Sequence, residues 1–197
     1  MTQHKLNASQ TLEAIRKPSA DLRVDETVTE IDLGHSDVTA SDIRQLVKIF
    51  PNLKELNLTN TRLEDDGVKP LASASKLTTL YLICTEVADD GVKALSSLPN
   101  LTALYLSFTN VKDEGVKALA LVPNLTELSL SFTKIGDDVI KPLSSHPKLM
   151  TLNLAGTKVS DAGAKAFASN RKLATVSLNT YEIRAGVKYS YGVKRRP

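Results

Sequence analysis

The sequence predicts an α/β fold: a right-handed α/β solenoid with a concave parallel β-sheet and convex helices. Three observations carry that reading. Leu53, Leu77, Leu101, Leu125, Leu149 and Leu173 follow one another at intervals of 24 residues, without gap or insertion. Each interval opens on alternating apolar and polar residues, the pattern of a strand with one buried face. It continues with an aspartate and apolar residues at helical spacing. A strand and a helix too small to bury their own leucines must stack on the next copy, and a strand–helix–strand repeat stacks with its strands parallel.

The units read LKELNLTNTRLEDDGVKPL, LTTLYLICTEVADDGVKAL, LTALYLSFTNVKDEGVKAL, LTELSLSFTKIGDDVIKPL and LMTLNLAGTKVSDAGAKAF. An earlier copy begins at Val28 and is one residue longer; a partial copy begins at Leu173. Within a unit, Leu101, Leu104 and Leu106 frame polar or exposed positions and mark the strand. The column Asp65, Asp89, Asp113, Asp137 and Asp161 stands where a helix N-cap is expected, its carboxylate accepting a backbone N–H. Gly67, Gly91, Gly115 and Gly163, two residues later, point to close approach between helices. Val139 replaces that glycine in the fifth unit and predicts a different helix spacing there. Pro70 and Pro142, five residues after the column aspartate, predict helices that start late or are distorted.

These residues carry a resemblance. The pattern L-x-x-L-x-L-x-x-N/C-x-L is similar to that of the leucine-rich-repeat superfamily, with Thr, or Ser36 in the first unit, at the N/C position. The similarity spans roughly residues 28–183, six full repeats plus one partial. The D-x-G-V-K-x-L half resembles the helical half of the ribonuclease-inhibitor-like and cysteine-containing subclasses. The resemblance implies a horseshoe whose concave sheet binds proteins.

The flanks are read as caps. Residues 1–27 hold LNASQTLEAIRK, a helix-forming stretch behind Asn7 or Ser9 as caps, expected to seal the first repeat. In residues 184–197, Val187, Tyr189, Tyr191 and Val193 alternate with Lys188, Ser190, Gly192 and Lys194. That period of two predicts a strand that covers the last repeat and discourages edge pairing.

Composition narrows the function. Net charge is +3, but Arg184, Lys188, Lys194, Arg195 and Arg196 concentrate the excess near the C-terminus. A nucleic-acid surface would instead be a basic stripe on the folded body. The lone Cys84 excludes an internal disulfide and fits a reducing, cytoplasmic setting. No signal-like segment is present, and no apolar run approaches the ~18 residues of a membrane span.

Nor is there a catalytic constellation. His4, His35 and His146 are dispersed, and Cys84 and His35 share a column but stand two strands apart, about 9–10 Å. The acid pairs Asp65-Asp66, Asp89-Asp90, Asp113-Glu114 and Asp137-Asp138 recur at helix starts, where they suit the helix dipole. Four residues after each column aspartate comes Lys69, Lys93, Lys117, Lys141 or Lys165, expected to pair with it. The chain therefore reads as a non-enzymatic module without cofactor or metal.

Alternation names the side chains on the concave face. The central column is Asp32, Asn57, Tyr81, Tyr105, Ser129, Asn153 and Ser177. One step earlier stand Glu30, Glu55, Thr79, Ala103, Glu127, Thr151 and Thr175; one step later, Gly34, Thr59, Ile83, Ser107, Ser131, Ala155 and Asn179. Tyr81, Tyr105 and Ile83, flanked by Glu55 and Glu127, form the candidate binding patch, since tyrosine concentrates binding energy. Stacking of the rings for stability is the competing account. Phe108, Phe132 and Cys84 share the next column: strict alternation turns them into the core, whereas a strand ending there leaves Phe108 and Phe132 to extend the patch.

The expected function is binding of a partner protein, by a monomer that uses neither membrane nor nucleic acid. A structural scaffold or fragment of a larger assembly is the alternative, and nucleic-acid binding through the basic tail a third.

Overall fold

In the computed structural model, residues 4–17, 23–168, 173–178, 181–184 and 187–190 are described. They form one ten-stranded sheet in which chain order and spatial order coincide. The repeats supply β2 (Val28–Asp32), β3 (Glu55–Asn57), β4 (Thr79–Tyr81), β5 (Ala103–Tyr105), β6 (Glu127–Ser129), β7 (Thr151–Asn153) and β8 (Thr175–Ser177), all parallel. A further parallel strand, β1 (His4–Leu6), precedes them and was not legible in the sequence. At the other end, β9 (Tyr181–Arg184) and β10 (Val187–Ser190) turn antiparallel.

Between strands run α1 (Ala8–Ile15), α2 (Ala40–Ile49), α3 (Asp65–Val68), α4 (Asp89–Leu95), α5 (Asp113–Leu119), α6 (Ile140–Ser144) and α7 (Asp161–Ala168). Strands stack ~4.8 Å apart while a helix with side chains needs ~10 Å, so equal numbers of each bend the layers with the strands inside. The leucine columns fill the space between: Leu53, Leu56, Leu58, Leu101, Leu104 and Leu106 are buried, as are their equivalents.

The threonine at the N/C position closes the strand's end within its own unit. Thr61, Thr85, Thr109, Thr133 and Thr157 are buried and donate to the carbonyls of Leu58, Leu82, Leu106, Leu130 and Leu154 at 2.6–2.8 Å. Each hydroxyl is thereby satisfied in a place where an unpaired one would be costly.

The aspartate column departs from the expected role. Asp65, Asp89 and Asp113 are the first residues of their helices, and Glu64, Ala88 and Lys112 are the N-caps, without side-chain capping bonds. The carboxylates reach across to the next repeat. Asp65 accepts from the N–H of Ala88 at 2.7 Å; Asp89, Asp113 and Asp137 accept from Lys112, Gly136 and Ser160 at 2.8 Å. One atom type at one column thus ties successive units together. The Asp161 side chain lies outside the described residues.

The column glycines do mark close approach. A Cβ on Gly91 would stand 2.6 Å from Asp65 Oδ1, and one on Gly163 would meet Asp137. The lysines pair differently from the expectation: Lys69, Lys93 and Lys117 bridge to Asp66, Asp90 and Glu114, three residues earlier, because the column carboxylates are turned toward the next repeat. Pro70 sits in a 3-10 segment, Lys69–Ser73, that follows a four-residue α3. In the fifth unit, with Val139 in place of glycine, the first turn is a 3-10 segment, Asp137–Val139, and α6 starts late at Ile140.

The first repeat is held differently. Thr39 and Asp42 form a reciprocal capping box on α2. Arg16, at the end of α1, donates to both oxygens of Asp42, at 3.1 and 2.8 Å, and to Asp37. On the far side of α1, Asn7 caps the helix in a second capping box with Gln10.

Candidate functional site

Glu55, Tyr81, Ile83, Tyr105 and Glu127 lie together on the open face of the sheet, and all are half-buried. Register brings them into two rows. Asn57, Tyr81, Tyr105 and Ser129 are successive Cα partners, and so are Glu55, Thr79, Ala103 and Glu127. Parallel pairing in exact register places like positions side by side, so two tyrosines in one column must meet. Their ring centroids are 4.6 Å apart with planes inclined by 3°.

Both phenols are held toward their neutral form. Burial raises the Tyr81 hydroxyl above its ordinary range, and the charges of Glu55 and Glu127 add to the effect. Tyr105 is raised further: burial is the largest cause, and its hydrogen bond to the Glu127 carboxylate follows. Both flanking carboxylates therefore act on the ring pair. Beside Tyr105 the surface drops to serines, where the Ser107 hydroxyl bonds those of Ser129, at 2.9 Å, and Ser131, at 2.8 Å.

Phe108, Phe132 and Cys84 do not enter the core; strict alternation is overturned at this column. Phe108 is 52% and Phe132 55% exposed, and Cys84 is exposed. The cause is the backbone. His35, Asn60, Cys84, Phe108 and Phe132 have φ between 54° and 60°, and Gly156 has φ 73°. This left-handed residue, three positions after the last strand residue, breaks the inward–outward alternation and throws its side chain outward. Asn60 and Gly156 suit such a conformation; phenylalanine does not. Phe108 and Phe132 stack on each other at 4.4 Å, along the rim next to the tyrosine face. The same rim forms an open groove of about 1220 Å³ near the first repeats, to which His35, Asn60, Cys84 and Phe108 contribute.

His146 is a structural residue, only 2% exposed. Its Nδ1 accepts from the N–H groups of Lys148 and Leu149, so Nε2 donates to the Val122 carbonyl at 2.8 Å. Among the described residues no group of three His, Cys, Asp or Glu side chains is placed to hold a metal. No helix among them is long and apolar enough to cross a membrane. Asn179, Tyr191, Val193 and the Lys194-Arg195-Arg196 tail lie outside the described residues, as does the His4 side chain.

Comparison with known proteins agrees with the fold. Residues 51–111 match a leucine-rich-repeat family, and residues 123–144 and 145–168 match a second leucine-rich-repeat description, together more than half of the chain. No curated protein sequence matches. Among solved structures, the chain is similar to an internalin C2 from Listeria monocytogenes: TM-score 0.60, 26% identity, covering 80% of this chain and 69% of that one. The families matched are repeat families rather than enzyme families.

Proposed function

We propose that this chain, a leucine-rich-repeat solenoid protein, binds a partner protein through the open face of its sheet, centred on Tyr81 and Tyr105. The repeat family is one whose domains generally bind proteins. The observation that carries the reading is the stacked tyrosine pair, half-exposed at the middle of a face otherwise made mainly of small polar and acidic residues. Two rigid rings already ordered against each other lose little conformational freedom on binding. Phe108 and Phe132 extend the same surface over the rim, and the column of Ile83 lies between those of the two pairs.

Three supporting readings accompany it. Residues 1–27 and 184–197 act as caps, supported by Ile15 of α1 in the core and by the antiparallel turn of β9 and β10. The α-helical form of α2, α4 and α5 favours the ribonuclease-inhibitor-like and cysteine-containing subclasses. The single cysteine suits a reducing compartment such as the cytoplasm.

The test compares Tyr81→Ala/Tyr105→Ala with Tyr81→Phe/Tyr105→Phe in capture of partners from native extract, alongside melting temperature. The reading expects the alanine pair to lose a partner that the phenylalanine pair retains. Lost stability with unchanged capture would reduce the tyrosines to a packing role.

A further inference from the structure

The middle of the open face carries charge of one sign. From β2 to β8 its three central columns hold Glu30, Asp32, Glu55 and Glu127 and, among the described residues, no lysine, arginine or histidine; Lys5 and Arg184 join the row only on the flanking strands β1 and β9, as Cα partners of Glu30 and Thr175. Glu30 and Glu55 are direct Cα partners on β2 and β3. Like charges opposite one another on neighbouring strands destabilise a sheet. The ion pairs among described residues all involve other groups: Arg16 with Asp37 and Asp42, and Lys69, Lys93 and Lys117 with their helix acids. Among the described residues no ion pair engages Glu30, Asp32, Glu55 or Glu127.

Shape adds to charge. In the row Glu55, Thr79, Ala103, Glu127, the two small residues floor a trough whose acidic ends are three strand spacings apart, about 14 Å. The stacked tyrosines in the neighbouring column wall it on one side. Because the rings stack on each other across the strands, their free faces look along the column toward Asn57 and Ser129, on the strands that carry Glu55 and Glu127. A cation on such a face is attracted by the ring electrons, and desolvation beside a carboxylate strengthens that preference.

Resting on the reading of a protein-binding open face, we propose that the occupant is an extended basic segment of a partner protein. The segment lies over the Thr79–Ala103 trough, with its arginine or lysine side chains on the outer faces of Tyr81 and Tyr105, beside Glu55 and Glu127. Arginine fits better than lysine, because its planar group can lie on a ring and reach a carboxylate with two donors. A neutral or acidic segment would leave the carboxylates uncompensated.

The experiment titrates hexa-arginine and hexa-citrulline peptides into the isotope-labelled chain and follows backbone amide signals. Hexa-arginine is expected to move Tyr81, Ala103 and Tyr105, and Glu55→Gln/Glu127→Gln to weaken it about tenfold or more, an effect that shrinks as salt rises. The glutamine variants are isosteric, and an unchanged spectrum elsewhere confirms their fold. Equal hexa-arginine affinity in wild type and glutamine variant, no binding, or shifts confined to other surfaces would overturn the proposal. Hexa-citrulline moving the same three residues as tightly as hexa-arginine would overturn the cation preference while leaving the open face as the binding surface. The alanine and phenylalanine variants decide that second question separately.

Discussion

The carboxylate of Asp89 occupies the space that a side chain on Gly115 would need: a Cβ there would stand 2.6 Å from Asp89 Oδ1 and 2.9 Å from its Cα. The same oxygen accepts the N–H of Lys112. Aspartate in one repeat and glycine in the next are thus one device, and neither can change alone. Alanine in a free helix interior is better than glycine by about 1 kcal/mol. Here Gly115→Ala is expected to destabilise by about 1–3 kcal/mol in urea unfolding, because the clash involves backbone as well as side chain. A more stable variant would refute the contact.

Arg16 and Asp42 should make docking of α1 acid-sensitive. Burial works to raise the Asp42 carboxyl, but the Arg16 hydrogen bonds, with those of Thr39, outweigh it and leave it below its ordinary 3.8. A depressed carboxyl contributes stability that is present above the ordinary value and lost as pH falls through the lowered one. Hydrogen exchange of the α1 amides is expected to quicken from about pH 4 downward, and this step should vanish in Asp42→Asn. Asp42→Ala, which strips both Arg16 and Thr39, is expected to cost about 2 kcal/mol after allowance for the half-exposed arginine.

Tyr105 and Glu127 predict the opposite limb of the pH profile. A phenol raised above its ordinary 10.0 contributes stability that is complete below that value and lost as pH climbs through the raised one. Glu127→Gln removes the charge and weakens the acceptor, so phenolate absorbance should develop at lower pH than in the parent chain. An unshifted titration would show that Glu127 does not act on Tyr105.

The rim phenylalanines predict a trade between stability and binding. At φ 58° and 55°, Phe108 and Phe132 hold a conformation that Asn60 adopts in the same column at lower cost. Phe108→Asn is expected to raise stability by roughly 0.5–1.5 kcal/mol, net of the lost ring contact, and to weaken partner capture. Increased stability with intact capture would remove the rim from the binding surface.

Much of this was legible before any coordinates. A period of 24 residues, repeated leucines and strict alternation specify parallel strands in register, and register alone sets Glu55, Tyr81, Tyr105 and Glu127 on one face. The glycine and proline columns announced their effects because both act through backbone space and geometry at the start of their own helices. Short-range rules suffice when every unit repeats the last.

Packing governs the places where side chains bond beyond their own unit or where backbone geometry overrides pattern. The column aspartates bond a residue 23 positions away rather than capping their own helices, a choice invisible to local capping rules. Phe108, Phe132 and Cys84 follow the inward phase of an alternating strand, yet a single left-handed residue ends that phase and turns them out. The repeat, the buried columns and the composition of the open face follow from residue order alone. Stacking determined the rest, because hydrogen-bond partners and the end of each strand depend on what the adjacent repeat presents.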